Sequence, residues 1–291
     1  MGESPSPVGP VRSVLGIDAA WTNHHPSGVA LAVQTAGGWH LAAVEASYAE
    51  FHARAERLPT PEGKPAGSVP VAAELLDSAE ALCGQATNLV AIDMPLSRTP
   101  FTGRRASDNA VSRAYGGRHC ATHSPSSLRP GSISDCLRAG FEVKGYPLRT
   151  VDGASVGPSV LLPALIEVYP HPALVEFAGA SKRLPYKVAN IRKYWPEHES
   201  WQRIEALRTE WLGIVELLDR QLAGVADALP LPPLGTKGWT LKAYEDKLDA
   251  VVCACIGICA VEGRALAFGD DASAIWIPIP AGSGGVGSCS G

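Results

Sequence analysis

Residues 14–44 read VLGIDAAWTNHHPSGVALAVQTAGGWHLAAV, which is three short apolar runs separated by connections that contain glycine. The runs cover residues 14–18, 29–33 and 39–44. Short glycine-containing connections between apolar runs are typical of antiparallel hairpins. We therefore predict a three-stranded antiparallel meander whose first strand ends at Asp18.

The residues after the meander alternate between helical and strand patterns. Further strands are predicted at residues 89–93, 165–169 and 274–277, and helices at residues 71–83, 106–115, 133–139, 201–222 and 242–263. The run at residues 89–92 is continuously apolar, as expected for a strand that is covered on both faces. This order predicts an α/β fold with the ribonuclease H-like layout, in which parallel strands extend the meander and helices cover both faces of a mixed sheet.

The composition predicts one folded domain between two tails. Apolar residues make up 46% of the chain and charged residues 19%, which is typical of a globular protein. Residues 1–12 and 281–291 are rich in Gly, Ser or Pro, so we predict a disordered tail and a flexible tail around a single domain at residues 13–280. The sequence leaves the oligomeric state open.

The cysteine pattern and the apolar runs bear on location. The 7 cysteines are odd in number and lack the spacing of a disulfide framework, which predicts reduced thiols and a cytoplasmic protein. No signal peptide is recognisable at the first residues, and no apolar stretch is long enough to cross a membrane. We therefore expect no membrane partner.

A basic insertion is predicted at about residues 98–160. Within residues 98–149, eight arginines and one lysine face three acidic residues, a net charge of +6, which leaves −10 for the rest of a chain whose total is −4. The fork geometry of arginine suits phosphate, so we predict that Arg104, Arg105 and Arg113 bind substrate phosphate. The alternative is a set of ion pairs within one helix, formed with Asp108.

Acidic residues occur where several predicted elements begin or end. Asp18 and Asp93 end two strands that we expect to be neighbours, and Asp249 lies near the start of the last helix, one turn after Asp246. Converging carboxylates favour a Mg²⁺ or Mn²⁺ site, with Asp246 as the substitute for Asp249. The alternatives are turn caps at the strand ends and an acidic first turn that complements the helix dipole. Glu167, inside a strand, is either a further ligand or a solvent-facing residue.

Several motifs together resemble one protein family. They are Gly16-Ile17-Asp18-Ala19-Ala20, Gly28-Val29-Ala30, Ile92-Asp93-Met94-Pro95-Leu96, Arg104 and Arg105 with Asp108, Glu167-Val168-Tyr169-Pro170, Asp249-Ala250 and Ile275-Trp276-Ile277-Pro278. The chain resembles domain-of-unknown-function family 429, described as predicted nucleases of the ribonuclease H fold, over about residues 14–278. The resemblance implies that Asp18, Asp93 and Asp249 bind the metal and that Glu167 is functional.

These patterns predict a metal-dependent nuclease or phosphodiesterase that uses two-metal-type catalysis, with Asp18, Asp93, Asp249 and Glu167 as catalytic residues. The expected substrate is a nucleic acid or a small phosphate ester. One alternative is a phosphotransferase or ATPase of the sugar-kinase and actin type, although Ala19 and Ala20 stand where such enzymes have a glycine-containing phosphate turn. The other alternative is a non-catalytic module that binds a nucleotide or nucleic acid.

Overall fold

A computed structural model describes residues 12–151 and 160–279 of the chain. Of the two predicted tails, only Arg12 belongs to these residues; the rest of the tails, and residues 152–159 of the predicted insertion, lie outside them. The division into one domain and two tails therefore stays a prediction.

Within the described residues, seven strands form one mixed sheet. They are β1 (Ser13–Asp18), β2 (Gly28–Thr35), β3 (Gly38–Glu45), β4 (Leu89–Ile92), β5 (Ala164–Val168), β6 (Ala265–Gly269) and β7 (Ala274–Pro278). Their order across the sheet is β3-β2-β1-β4-β5-β7-β6. The first three strands pair antiparallel, β1, β4, β5 and β7 run parallel, and β6 is antiparallel to β7. The predicted meander and the mixed sheet are thus confirmed.

The described helices pack on both faces of this sheet. They are α1 (Tyr48–Ala55), α2 (Ala72–Cys83), α3 (Ala106–Tyr115), α4 (Ser132–Val143), α5 (Pro170–Ala178), α6 (Ile191–Tyr194), α7 (Ser200–Asp219), α8 (Val225–Ala228) and α9 (Gly238–Val261). One core joins the sheet to α5, α7 and α9, and a second core joins its other face to α1, α2 and α4. None of the helices in the described residues is both long and apolar enough to cross a bilayer.

The central strands show why both faces need helices. Val14 of β1 belongs to the core that contains α9, whereas Leu15 and Ile17 belong to the opposite core. Because successive side chains of a strand point to opposite faces, a continuously apolar strand requires a cover on each side. All six described cysteines are free thiols, and three of them are buried in α9.

Several elements differ from the predictions. No helix is predicted directly after the strand at residues 165–169, but α5 begins at Pro170, which is a favourable first helical residue. Four other elements were not predicted, because none has an extended periodic pattern: α1, α6, α8 and β6, of which β6 is largely half-buried. α9 begins at Gly238, earlier than the predicted residue 242, so Asp249 lies in the middle of this helix and not in its first turn.

Candidate functional site

The site begins at the ends of two parallel neighbouring strands. β1 ends at Asp18, and Asp93 directly follows β4. The backbone N–H of Asp93 donates a hydrogen bond of 2.9 Å to the carbonyl oxygen of Ile17, which continues the ladder between the two strands. The two carboxylates therefore leave the same edge of the sheet, as the sequence predicted.

Two glycines, one in β1 and one in β2, let helix α9 pack closely against the sheet. A Cβ atom at Gly16 would lie 2.4 Å from the carbonyl oxygen of Ala250, and one at Gly28 would lie 2.0 Å from that of Asp246. Real Cβ atoms do not approach a backbone oxygen this closely, so only glycine permits the contact. This close packing places the acidic turns of α9 beside Asp18.

Asp249 is completely buried, and its carboxylate is occupied by neighbours. The hydroxyl of Tyr186 donates to Asp249 over 2.7 Å, and the ammonium group of Lys187 contacts its other oxygen. Burial opposes the charged form of Lys187, but Asp249, Tyr186 and Glu245 raise its pKa well above the ordinary value. Asp249 thus holds a lysine within the acidic centre.

The preceding turn of α9 contains a second lysine–carboxylate arrangement. Lys242 contacts Asp246 and lies 2.9 Å from Glu245, which is also 3.6 Å from the ammonium group of Lys187. Burial raises the pKa of Asp246 to about 6 although Lys242 opposes the shift. Burial also acts to raise the pKa of Glu245, but Lys187 and Lys242 together lower it. Asp246, the predicted substitute for Asp249, therefore belongs to the site.

Asp18 and Asp93 differ from these carboxylates because neither forms an ion pair with any residue that the structure describes. Burial, followed by repulsion from Asp249 and Asp246, raises the pKa of Asp18 well above its usual range. Burial likewise raises the pKa of Asp93 to about 8, with Lys187 opposing and Asp249 and Glu167 adding to the shift. Asp18 and Asp93 are therefore the two carboxylates at this edge of the sheet that have no cation beside them in ion-pair contact within the described residues.

Glu167 and Arg105 form a buried ion pair. The guanidinium of Arg105 donates to Glu167 over 2.6 and 2.7 Å and to Asp108 over 2.9 and 3.1 Å. The backbone N–H of Leu96 donates a further bond of 2.8 Å to Glu167. Burial raises the pKa of Glu167 to about 7, although Arg105 favours the charged form. Glu167 is thus neither solvent-facing nor free of partners.

The other two arginines of the predicted phosphate site lie elsewhere. Arg104 is exposed and ties α3 to the following loop, through bonds of 3.0 Å to Asn109, 2.8 Å to Ser112 and 3.1 Å to Ser124. Arg113 is exposed on α3. The structure therefore brings together Asp18, Asp93 and Asp249 with Asp246, and it leaves Arg104 and Arg113 outside this group. Phosphate binding by the three arginines stays a prediction.

Two cavities meet at Asp93. The inner cavity has a volume of about 160 Å³, and the outer pocket has a volume of about 910 Å³. Asp93, Trp21 and His123 line both of them. The outer pocket also contains Asp18, Asp246, the basic side chains of Lys64, Arg129 and Lys242, and the ring of Trp239. Asp249 lines neither cavity.

The inner cavity contains Arg105, Glu167 and one buried histidine, His171. Burial, and then the nearby charges of Lys187 and Arg183, lower the pKa of His171 well below its ordinary value. Its Nδ1 atom has no hydrogen-bond partner within the described residues. His171 therefore contributes a neutral imidazole beside the carboxylates.

The donor set suits a hard divalent cation in composition. Carboxylate oxygens are the ligands that Mg²⁺ and Mn²⁺ prefer, and Asp18, Asp93 and Asp246 line one pocket. No three His, Cys, Asp or Glu side chains in residues 12–151 and 160–279 are already grouped closely enough to hold a metal ion. Lys187 and Lys242 supply part of the positive charge there.

The sequence did not predict two side chains of the site, Lys187 and Trp239. Lys187 lies in an irregular segment without a pattern, so its place beside Asp249 follows only from tertiary packing. A signal did exist for Trp239, which precedes Lys242 and Asp246 at the spacing of one helix face. That signal was lost because the predicted helix began too late.

A family model described as "Protein of unknown function (DUF429)" matches residues 16–274 of the chain. The comparisons with curated proteins and with solved structures gave no significant match. The family description assigns neither an activity nor a ligand, so any function has to be argued from the site.

Proposed function

The chain belongs to the DUF429 family, and we propose that it is a metal-dependent phosphodiesterase or nuclease with a ribonuclease H-like fold. The order β3-β2-β1-β4-β5, a meander followed by parallel strands, supports this fold. One observation carries the proposed activity: Asp18 and Asp93, at adjacent strand ends in the outer pocket, are carboxylates without an ion-pair partner in the described residues.

Asp18, Asp93 and Asp246 would hold Mg²⁺ or Mn²⁺. A bound divalent ion supplies charge neutralisation at a phosphoryl oxygen and lowers the pKa of a bound water molecule. Asp249 acts through Lys187 and not as a ligand, because its carboxylate is enclosed by that lysine and by Tyr186.

The remaining side chains serve binding and charge balance. Lys64 and Arg129 line the pocket and offer donors to a phosphate group. Lys187 and Lys242 offset the acidic turns of α9, so the site carries fewer uncompensated negative charges when an anionic substrate enters. Arg105 orients Glu167 from the inner cavity and is thus a positioning residue in this proposal.

The experiment is a hydrolysis screen with single-stranded DNA, single-stranded RNA, duplexes and small phosphodiesters, each with Mg²⁺ or Mn²⁺. We expect divalent-ion-dependent cleavage of at least one substrate, and a loss of at least about 100-fold in Asp93→Asn. The exposed Asp77→Asn on α2 is the matched control and should retain full activity. Equal cleavage by the wild type and Asp93→Asn would refute the proposal.

A non-catalytic module that binds a nucleotide is the second candidate. It is favoured by the two lysines that already contact Asp246 and Asp249 and by the absence, within the described residues, of three grouped metal donors. This candidate predicts binding without hydrolysis under every divalent ion in the same screen.

A further inference from the structure

The first turns of α9 present one polar and aromatic stripe to the outer pocket. Trp239, Lys242, Ala243 and Asp246 all line it, at the spacing i, i+3, i+4 and i+7 of a single helix face. Beyond Asp246 the helix is almost entirely buried. A tryptophan two turns before Asp246 thus adds a flat apolar surface beside the charged side chains of the pocket.

A second tryptophan and two cations lie on other walls of the same pocket. Trp21 comes from the connection between β1 and β2, and the guanidinium of Arg129 lies 6.0 Å from the centre of its ring. Lys64 is in a loop that crosses residues 23–25 so closely that only a glycine, Gly67, fits at the crossing. Neither Lys64 nor Arg129 forms an ion pair with another described residue, so both cations are available to an anion.

The size and charge of the protein restrict what this combination binds. A volume of about 910 Å³ is within the range of small-molecule pockets and accommodates one nucleotide unit. The net charge of −10 outside the basic segment disfavours a long polyanion track. Aromatic rings accept any base by stacking, whereas lysine and arginine contact phosphate.

We propose that the outer pocket binds one nucleoside phosphate unit with an unpaired base, which stacks against Trp239 and Trp21 while its phosphate meets Lys64 and Arg129. The unit is either a free nucleotide or the end of a single strand. The inference rests on the proposed function only for the fate of the phosphate, which faces Asp18 and Asp93; binding itself requires no hydrolysis.

The test is a tryptophan-fluorescence titration without divalent ions, using adenosine monophosphate, uridine monophosphate and ribose 5-phosphate as probes. We expect both nucleotides to bind at least about tenfold more tightly than the sugar phosphate. Trp239→Leu should remove most of this difference, and Trp239→Phe should restore much of it because the ring is kept. Trp201→Leu is the matched control, since Trp201 is 62% exposed on α7.

The phosphate half of the site is tested with Lys64→Gln, with the exposed Lys193→Gln on α6 as its control. Lys64→Gln should weaken the binding of the nucleotides and of ribose 5-phosphate by the same factor, about threefold to tenfold. A short 5′-phosphorylated single strand distinguishes a strand end from a free nucleotide as the natural ligand. If the strand binds much more tightly than the mononucleotide, the ligand is a strand end; if the two bind equally, it is a free nucleotide.

Equal affinity for nucleotide and sugar phosphate, or unchanged binding in a folded Trp239→Leu variant, would overturn the inference. Hydrolysis of a phosphodiester with no nucleotide binding would leave the proposed function standing and remove this inference. Nucleotide binding without hydrolysis of any substrate would support this inference and refute the proposed function.

Discussion

Among the single residues of the site, most buried carboxylates form an ion pair with a lysine or an arginine side chain. Asp249 contacts Lys187, Asp246 contacts Lys242, and Glu167 binds Arg105. Burying a charge is costly unless it is paired, so these contacts are what allows the acidic centre to form. Asp18 and Asp93 lack such a partner in the described residues, and burial, which no ion pair offsets there, raises the pKa of both.

Replacement of Asp93 by Asn should stabilise the protein in buffer without divalent ions. The pKa of Asp93 is about 8 in the folded protein and near 4 when unfolded, so between these values folding retains a proton and stability falls as the pH rises. A pKa unit corresponds to about 1.4 kcal/mol and partial solvent access reduces this, so we expect a gain on the order of 2 kcal/mol at pH 8 and less at pH 5. Urea denaturation at both pH values measures it.

Asp77→Asn, on the exposed face of α2, provides the baseline for this comparison. If Asp93→Asn and Asp77→Asn changed the unfolding free energy equally at pH 8, Asp93 would not be a destabilising charge.

Arg105 and Arg104 are neighbours in sequence, but they should contribute very differently to stability. Arg105→Leu leaves Glu167 and Asp108 buried without their cation and should cost about 3–5 kcal/mol of unfolding free energy. Arg104→Leu removes exposed hydrogen bonds and should cost about 1 kcal/mol or less. Guanidinium denaturation of both variants measures the two losses of unfolding free energy. Similar losses would show that the buried ion pair of Arg105 is not needed for stability.

At the scale of elements, the site depends on how closely α9 approaches β1 and β2. Gly28 is the tightest point, because a Cβ atom there would meet the carbonyl oxygen of Asp246 at 2.0 Å. A displacement of α9 at this point moves Asp246 and Lys242 relative to Asp18. The geometry of the acidic centre is therefore set by backbone packing as much as by the acidic residues themselves.

Gly28→Ala should thus impair both stability and the site. Overpacking against a backbone atom costs about 1–3 kcal/mol, and the shifted helix should weaken divalent-ion binding as well. Gly213→Ala on α7 meets no atom within 4 Å and should instead stabilise the protein by about 0.5–1 kcal/mol, since alanine is the better helix former. Thermal unfolding and calorimetric titration of Mn²⁺ compare the two variants. Unchanged stability and Mn²⁺ affinity in Gly28→Ala would contradict the packing argument.

The sequence predicted the parts of this arrangement that depend on local periodicity. The meander and the buried strand β4 follow from apolar runs and short connections, and the adjacency of Asp18 and Asp93 follows from the layout that the order of elements predicts. It did not predict the partners of Asp249 and Glu167, because Lys187 and Arg105 are 62 residues away from them and meet them only in the folded chain. β6 was not predicted because its short, largely half-buried run has no clear period, and the start of α9 was placed too late although Trp239 shares the helix-face spacing of Lys242 and Asp246.

At the scale of the whole molecule, charge is segregated between a basic segment and an acidic remainder. The net charges of +6 in residues 98–149 and −10 elsewhere favour recognition of a compact anion over binding along an extended polyanion. We therefore expect weak salt dependence for adenosine monophosphate: the log–log slope of affinity against salt should lie between about −1 and −2. Fluorescence titrations from low to high salt measure it, and a much steeper slope with a single strand would indicate an extended track.

The proposed function requires Asp18 and Asp93 to form the divalent-ion site of this protein. Its most direct test is a Mn²⁺ titration followed by electron paramagnetic resonance, on the wild type, Asp18→Asn, Asp93→Asn and the Asp77→Asn control. We predict that the wild type and Asp77→Asn bind Mn²⁺ alike and that each strand-end variant weakens the affinity by at least about tenfold. Equal Mn²⁺ affinity in all four proteins would contradict the claim.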